Sequence, residues 1–303
     1  MSATENNTVA GAVAGTVSGA VSGAVAGRSN ATLQVRHLHI DFSQGFARHW
    51  LGNDAFRSQL FNAQSFSFPL GEQYFIDSVR AALPLLTNEK LKADVKGFIA
   101  QESTHRHIHE QYNRQLNAQG LSYFIEPFVA WRIRTAAGLS VKNNLAITMA
   151  YEHFTAIFAD GVLSEAKWVE DAVEPMKRLW TWHSIEETEH KSVVFDVYQA
   201  LGGGYWRRVA WLLYVTILFS FDTAVQTAHC LYRDGELFKA KTLWQGLKFY
   251  FGRRGLTWFS LPQYLAYFKP GFQPWEHDNL HLAQQWLQEH SEAYHEIGKQ
   301  VEV

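Results

Sequence analysis

The sequence predicts an all-α fold built on a four-helix bundle, and three observations predict it. The stretch WTWHSIEETEHKSVVFD, Trp180 to Asp196, sets His183, Glu187 and His190 at spacings of four and three, so that on a helix they stack along one face. An earlier stretch, QESTHRHIHE from Gln101 to Glu110, carries a second Glu-x-x-His as Glu102 and His105. Each pair follows a lone glutamate in an apolar helical run: Glu72 lies 30 residues before Glu102, and Glu152 lies 35 before Glu187. Two such combs on facing helices, each with its single glutamate, are what a two-metal carboxylate site inside a bundle needs.

Taken in order, residues 1–30 repeat VAGA-VAGT-VSGA-VSGA-VAG from Val9. Glycine in each unit weakens any helix and nothing large is there to pack, so a disordered leader is expected. Residues 31–303 are expected to form a single helical domain, with a metal-binding bundle over 69–201 and a helical cap over 205–303. Residues 31–65 read as a segment laid across the bundle surface, with a short extended piece at His37 and His39. Pro69 is expected in the first turn of the first bundle helix. The second helix is expected over about 88–117 and ends at Gly120. Aromatics at Tyr123, Phe124, Phe128 and Trp131 mark a connecting helix across the bundle. The third bundle helix is expected over 140–163 and the fourth over 169–201, ended by Gly202-Gly203-Gly204. Further helices are expected over about 206–232, 236–252, 256–268 and 279–299.

Composition narrows the function. In 303 residues, 47% are hydrophobic and 15% aromatic, enough for a sizeable core. A formal charge of −2 argues against a nucleic-acid partner. The one cysteine, Cys230, excludes an internal disulfide, a cysteine-ligated cluster and a cysteine zinc site, and fits a reducing compartment. Residues before Arg28 carry no basic charge and 9–27 are Gly-rich, which fits no secretory signal, so a cytoplasmic location is expected. Val209 to Tyr232 is the most apolar stretch, but Asp222, Gln226 and His229 interrupt it. It reads as a buried fifth helix closing the bundle. Tyr205, Trp206 and Arg207-Arg208 at its start also suit peripheral membrane contact.

The expected metal ligands are Glu72, Glu102, His105, Glu152, His183, Glu187 and His190. Hard oxygen donors with one imidazole per ion suit two iron ions, or manganese or a mixed pair, better than zinc. His109 lies one turn beyond His105 on the same face, as pocket wall or ligand support. His107 and His153 lie off that face, and Glu189 and Lys191 are expected in solvent.

Residues 69–201 resemble the ferritin-like di-iron carboxylate proteins, which implies a ferritin-like bundle. His-x-x-x-Glu-x-x-His, His183 to His190, is similar to the aryl-amine N-oxygenases, and this implies His183 as a seventh ligand. The segments FPLGEQYF, QESTHRHIH, AYEHFTA and WHSIEETEHKSVVFDVY resemble a bacterial family labelled predicted metal-dependent hydrolase. In related enzymes an acid one turn before a ligand histidine takes its other N–H. Glu186 would do this for His190, and Gln101, uncharged, for His105.

The leading expectation is a non-haem di-iron oxidase or oxygenase acting with O₂ on an apolar or aromatic small molecule, an amine among the candidates. No flavin or NAD motif is present, so an external electron donor is expected, and a homodimer is compatible. The alternatives are a two-metal hydrolase and a non-catalytic metal-binding bundle.

Overall fold

The structure, a computed structural model, describes residues 33–297, so the leader expected over 1–30 lies outside the described residues. The fold is all-α apart from one small strand pair. Strand β1 is Arg36–Leu38, followed by helices α1 (Ala55–Ala82), α2 (Glu89–Ala118), α3 (Glu126–Ala136) and α4 (Val141–Leu163). Then come α5 (Met176–His190), α6 (Val193–Ala200), α7 (Tyr205–Arg233), α8 (Ala240–Phe251), α9 (Leu256–Ala266), α10 (Leu280–Glu289) and strand β2 (Tyr294–Glu296).

Short polar side chains start three of the bundle helices. Asp54, Asn88 and Ser140 each accept a hydrogen bond from a first-turn backbone N–H, of Arg57, Leu91 and Asn143 respectively. Helix α1 packs on α2 and on α4, α4 packs on α5 and α6, and α2 packs on α5 and α6, which closes the bundle.

Helix α1 begins at Ala55, well before the expected start, and Pro69 lies inside it rather than in its first turn. Proline has no N–H to give the carbonyl four residues back. The carbonyl of Ser65 accepts instead from Asn113 Nδ2 on α2, at 2.9 Å. The expected fourth helix is also different: it starts at Met176, and α5 and α6 are separated at Lys191-Ser192. Lys191 Nζ turns inward to the His277 carbonyl (2.6 Å) and Asn279 Oδ1 (2.7 Å), so Lys191 is buried and not solvated.

Two apolar clusters fill the two ends of the bundle. One gathers Leu60, Phe61, Tyr112, Leu116 and Trp180. The other gathers Val79, Val95, Phe98, Leu145 and Val194. The predicted ligands occupy the chain positions between them on every helix. The clusters therefore hold the helices together around a polar layer that could not hold them by itself.

Of the additional helices, α10 packs on α5, and α7, α8 and α9 pack on α1 and α4. Helix α7 packs across both α1 and α4, α8 on α1, α9 on α4, and α8 against α9. Helix α7 is long and apolar enough to cross a membrane by length and composition alone, yet only 17% of its most apolar window is buried. It is a fifth helix on the bundle, as expected, but its outer side is open rather than buried. The expected last helix is cut short at Glu289. The chain then turns into β2, which pairs antiparallel with β1, Arg36 opposite Glu296 and His37 opposite His295.

Candidate metal centre

Helix α1 brings Glu72 to the centre, α2 brings Glu102 and His105, α4 brings Glu152, and α5 brings His183, Glu187 and His190. All seven are buried, none more than 4% exposed. Donor atoms of Glu102, Glu152, Glu187 and His190 lie within 4.8 Å of one another, and so do those of Glu72, Glu102 and His105. A third group joins His105, His183 and Glu187, and a fourth Glu72, His109 and His183. Glu102 and Glu187 belong to groups on both sides, where bridging carboxylates would sit.

Both oxygens of Glu72, Glu102 and Glu152, Oε2 of Glu187, Nδ1 of His105 and Nε2 of His190 are buried without a hydrogen bond. His190 Nε2 is 3.2 Å from Glu102 Oε1 and 3.5 Å from both Glu152 Oε2 and Glu187 Oε2, close but unaligned for hydrogen bonding. Stranding this many acceptors in a protein interior is costly. Two divalent cations would satisfy them and offset four carboxylates, so the donor set fits a metal pair.

The histidines are aimed by what stands behind them. His105 Nε2 is 3.1 Å from Glu186 Oε2, and His190 Nδ1 is 3.0 Å from Gln101 Oε1. This crosses the expected arrangement: Glu186 supports the histidine of the facing helix, and Gln101 does the same in return. The Gln101 amide is oriented because its Nε2 donates to the Gln34 carbonyl and to Glu189 Oε2. With these acceptors taking one N–H each, Nδ1 of His105 and Nε2 of His190 are the nitrogens left facing the centre.

His183 is aimed by a longer chain. Ser65 Oγ donates to Asn113 Oδ1 (2.8 Å), so it accepts from His109 Nδ1 (2.9 Å). His109 Nε2 is then the acceptor for His183 Nδ1, at 3.2 Å. The Nε2 lone pair of His183 is left facing Glu187 Oε1, 3.3 Å away. Phe68 stacks on the His183 ring at 4.8 Å between centroids. His109 thus stands behind the candidate ligand His183 and also lies against Phe68.

The electrostatics agree. Burial, with Glu102 beside it, pushes the Glu72 carboxyl well above the usual range, and burial with Glu187 does the same to Glu152. Burial also raises Glu102. Burial would raise Glu187 too, but His190, His105 and His183 around it hold it well below. Burial would lower His105, yet Glu186 and Glu187 hold it up at about 10, and the surrounding carboxylates likewise raise His190. Burial and His105 lower His183 to about 4, and burial lowers His109, so both stay neutral as their hydrogen bonds require. Without cations, burial thus favours the protonated forms of Glu72, Glu102 and Glu152, and the carboxylates favour protonated His105 and His190.

Three residues that the spacing did not single out, Arg36, Ser65 and Asn113, complete the surroundings. Arg36 of β1 grips Glu189 through two bonds of 2.7 and 2.9 Å and reaches Glu186 Oε1 at 3.4 Å. Glu189 is therefore paired, not solvated as expected. Ser65 and Asn113 end the His183 chain. The sequence signal for Ser65 is a polar series, Ser58, Asn62, Ser65 and Glu72, at helical steps along α1; Asn113 is on α2 and has no part in it. His107 is exposed and His153 lies away on α9's carbonyl at Gln263, so neither joins the centre.

A cavity of about 440 Å³ reaches Glu72 from outside, between α1, α3, α4 and α7. Its wall is aromatic and aliphatic, with Phe75, Tyr151 and Phe219 among the lining residues. Among its polar lining residues, Arg132 and Asp222 are paired with each other. A void of about 20 Å³ touches His183 and Glu187, and Phe68, Gln64, Thr155 and Phe219 line both spaces.

Fold and cluster define a class: an all-α protein with buried acidic and histidine groups able to hold metal. The chain belongs to a family described as "Predicted metal-dependent hydrolase", which matches residues 34–278. No curated protein and no solved structure matches it.

Proposed function

We propose that the chain is a ferritin-like, non-haem di-iron oxidase or oxygenase acting on an apolar or aromatic small molecule. The observation that carries this reading is the buried donor set: four helix-borne carboxylates with stranded oxygens, and three imidazoles each aimed by a partner, beside an apolar cavity that ends at Glu72. A carboxylate-rich iron pair supplies electron transfer to O₂, since carboxylates tolerate changes of bridging mode as the ions change charge. Hard oxygen donors support iron or manganese over zinc.

The chain's own residues have separable roles. Glu102 and Glu187 would bridge, Glu72 with His105 and Glu152 with His190 would hold one ion each, and His183 would complete the His105 side as in the N-oxygenases. Glu186 and Gln101 keep the two imidazoles oriented. The cavity wall binds an apolar substrate and excludes water from the carboxylates, which strengthens every charge interaction there. Electrons would come from a separate donor protein.

A second reading, a two-metal hydrolase, is favoured by the family's description. There the ions would activate water and clamp an acyl or phosphoryl oxygen. An apolar cavity and a glutamate-dominated site on long helices suit it less well. A non-catalytic metal-binding bundle would have no use for the cavity.

The test is metal analysis followed by anaerobic Fe(II) loading and exposure to O₂. Two irons per chain with rapid O₂ consumption are expected. Two bound metals that leave O₂ untouched, with turnover of ester or phosphoester substrates, would put the hydrolase first.

A further inference from the structure

We propose that the outer face of α7, α8 and α9 docks on an anionic lipid surface. On α7 the exposed side chains Leu213, Tyr214, Ile217 and Phe221 recur at helical spacing and form one stripe. On α8 and α9 the outward residues include Trp244, Leu247, Phe251, Trp258 and Leu265, all more than half exposed. Helix α7 meets α9 through Thr216 Oγ1 and Tyr264 Oη at 3.0 Å, and α9 packs on α8, so the stripes lie on neighbouring helices and expose more apolar surface than the scattered residues of an ordinary surface. The opposite side of α7 is committed to protein, with Leu212, Val215 and Cys230 buried. A helix with one side packed on its own bundle and the other open suits lying in the membrane interface, not crossing it.

Charge selects the occupant. Residues 205–268 carry eight Lys and Arg against three Asp and Glu, while the rest of the chain carries 19 against 26. The three acids are each engaged: Asp222 with Arg132, Asp234 with Arg48 and His49, and Glu236 with Lys239 and Thr242. The cations Arg207, Lys241, Lys248, Arg253 and Arg254 are exposed at the ends and turns around the apolar stripes. Long basic side chains flanking Trp and Tyr are the arrangement that reads an anionic headgroup layer. A second copy of the chain on this face would bring two sets of like charge together.

The cavity opens beside this face, its rim set by exposed Phe128 and Trp131 of α3 and Tyr214 of α7. A molecule dissolved in the lipid layer would enter without crossing bulk water. Docking itself depends on these outer residues and not on the metals, so it stands or falls apart from the proposed chemistry.

The test is flotation of the full-length protein, as isolated, with phosphatidylcholine vesicles that contain or lack phosphatidylglycerol. Flotation with the anionic vesicles, weakened by added salt and lost in Ile217→Glu with Trp244→Glu, is expected. Lys241→Glu with Lys248→Glu should remove the preference for anionic lipid while the helical circular dichroism stays unchanged. Failure to float with either vesicle overturns the proposal, as does equal flotation with both. A dimer in light scattering that Ile217→Glu dissociates, with no vesicle binding, assigns the face to a second copy instead.

Discussion

Glu186 lies one turn before His190 on α5, yet its carboxylate meets His105 of α2, at 3.1 Å. Gln101 lies one turn before His105 and meets His190 at 3.0 Å. Each helix thus orients the other's histidine, and the anionic support falls on the His105 side alone. Glu186→Ala should weaken metal binding by about 10–100-fold, the usual cost of losing such a partner. Glu186→Gln should recover most of that affinity by keeping an acceptor in place. Metal titration of both variants checks this, and equal losses would show that charge, not orientation, matters.

The bridging assignment gives a sharper result. Glu102→Ala or Glu187→Ala should end stoichiometric binding of two metals per chain, because each carboxylate belongs to donor groups on both sides of the centre. His107→Ala, altered on the exposed side of α2, should still bind two. Metal analysis after dialysis decides between them.

Metal loading should release protons, and affinity should rise with pH. The sign follows from the shifts: the carboxyls of Glu72 and Glu152 are pushed well up by burial and by neighbouring carboxylates, and His105 is held at about 10 despite burial. His105, held at about 10, carries its proton near neutrality, and Glu72 and Glu152 keep theirs to higher pH than ordinary carboxyls; each must lose it to bind a cation. Binding measured in buffers of different ionisation enthalpy would reveal the release. Affinity that does not change between mildly acidic and mildly alkaline solution would contradict it.

His183→Ala should leave two metals bound while changing the rate of O₂ consumption, since six other donors remain. Ser65→Ala should act in the same direction and more weakly. It removes the acceptor for His109 and so loosens the chain that presents Nε2 of His183. Stopped-flow O₂ consumption of the loaded variants separates the two, and a Ser65→Ala protein indistinguishable from the parent would break the chain as drawn.

The metal candidates were legible because helical geometry turns spacing into position. Glu102 with His105, and Glu187 with His190, share a face on any helix. What stood behind them was less legible, since a hydrogen bond between facing helices depends on their relative rotation, which spacing does not encode. The crossing of Glu186 and Gln101 is of this kind. Arg36 left no trace at all, being 150 residues from Glu186. Pro69 misled because its missing N–H suits a first turn, whereas the carbonyl it releases on Ser65 finds Asn113 from another helix. Lys191 misled because a charge after an apolar face reads as solvated, and the break between α5 and α6 turns it inward to Asn279.

The pairing of β1 with β2 has a consequence in time. Arg36 faces Glu296 across the ladder, so the strands join nearly opposite ends of the described chain. Closing so large a loop carries the greatest entropic cost of any contact here, and it favours late formation, after α1, α2 and α4 to α6 have packed. Arg36 delivers its charge to Glu186 and Glu189 only when that ladder has formed. The electrostatic frame of the centre is therefore finished last, and pulse-labelling exchange should find the His37 and His295 amides protected after those of the bundle.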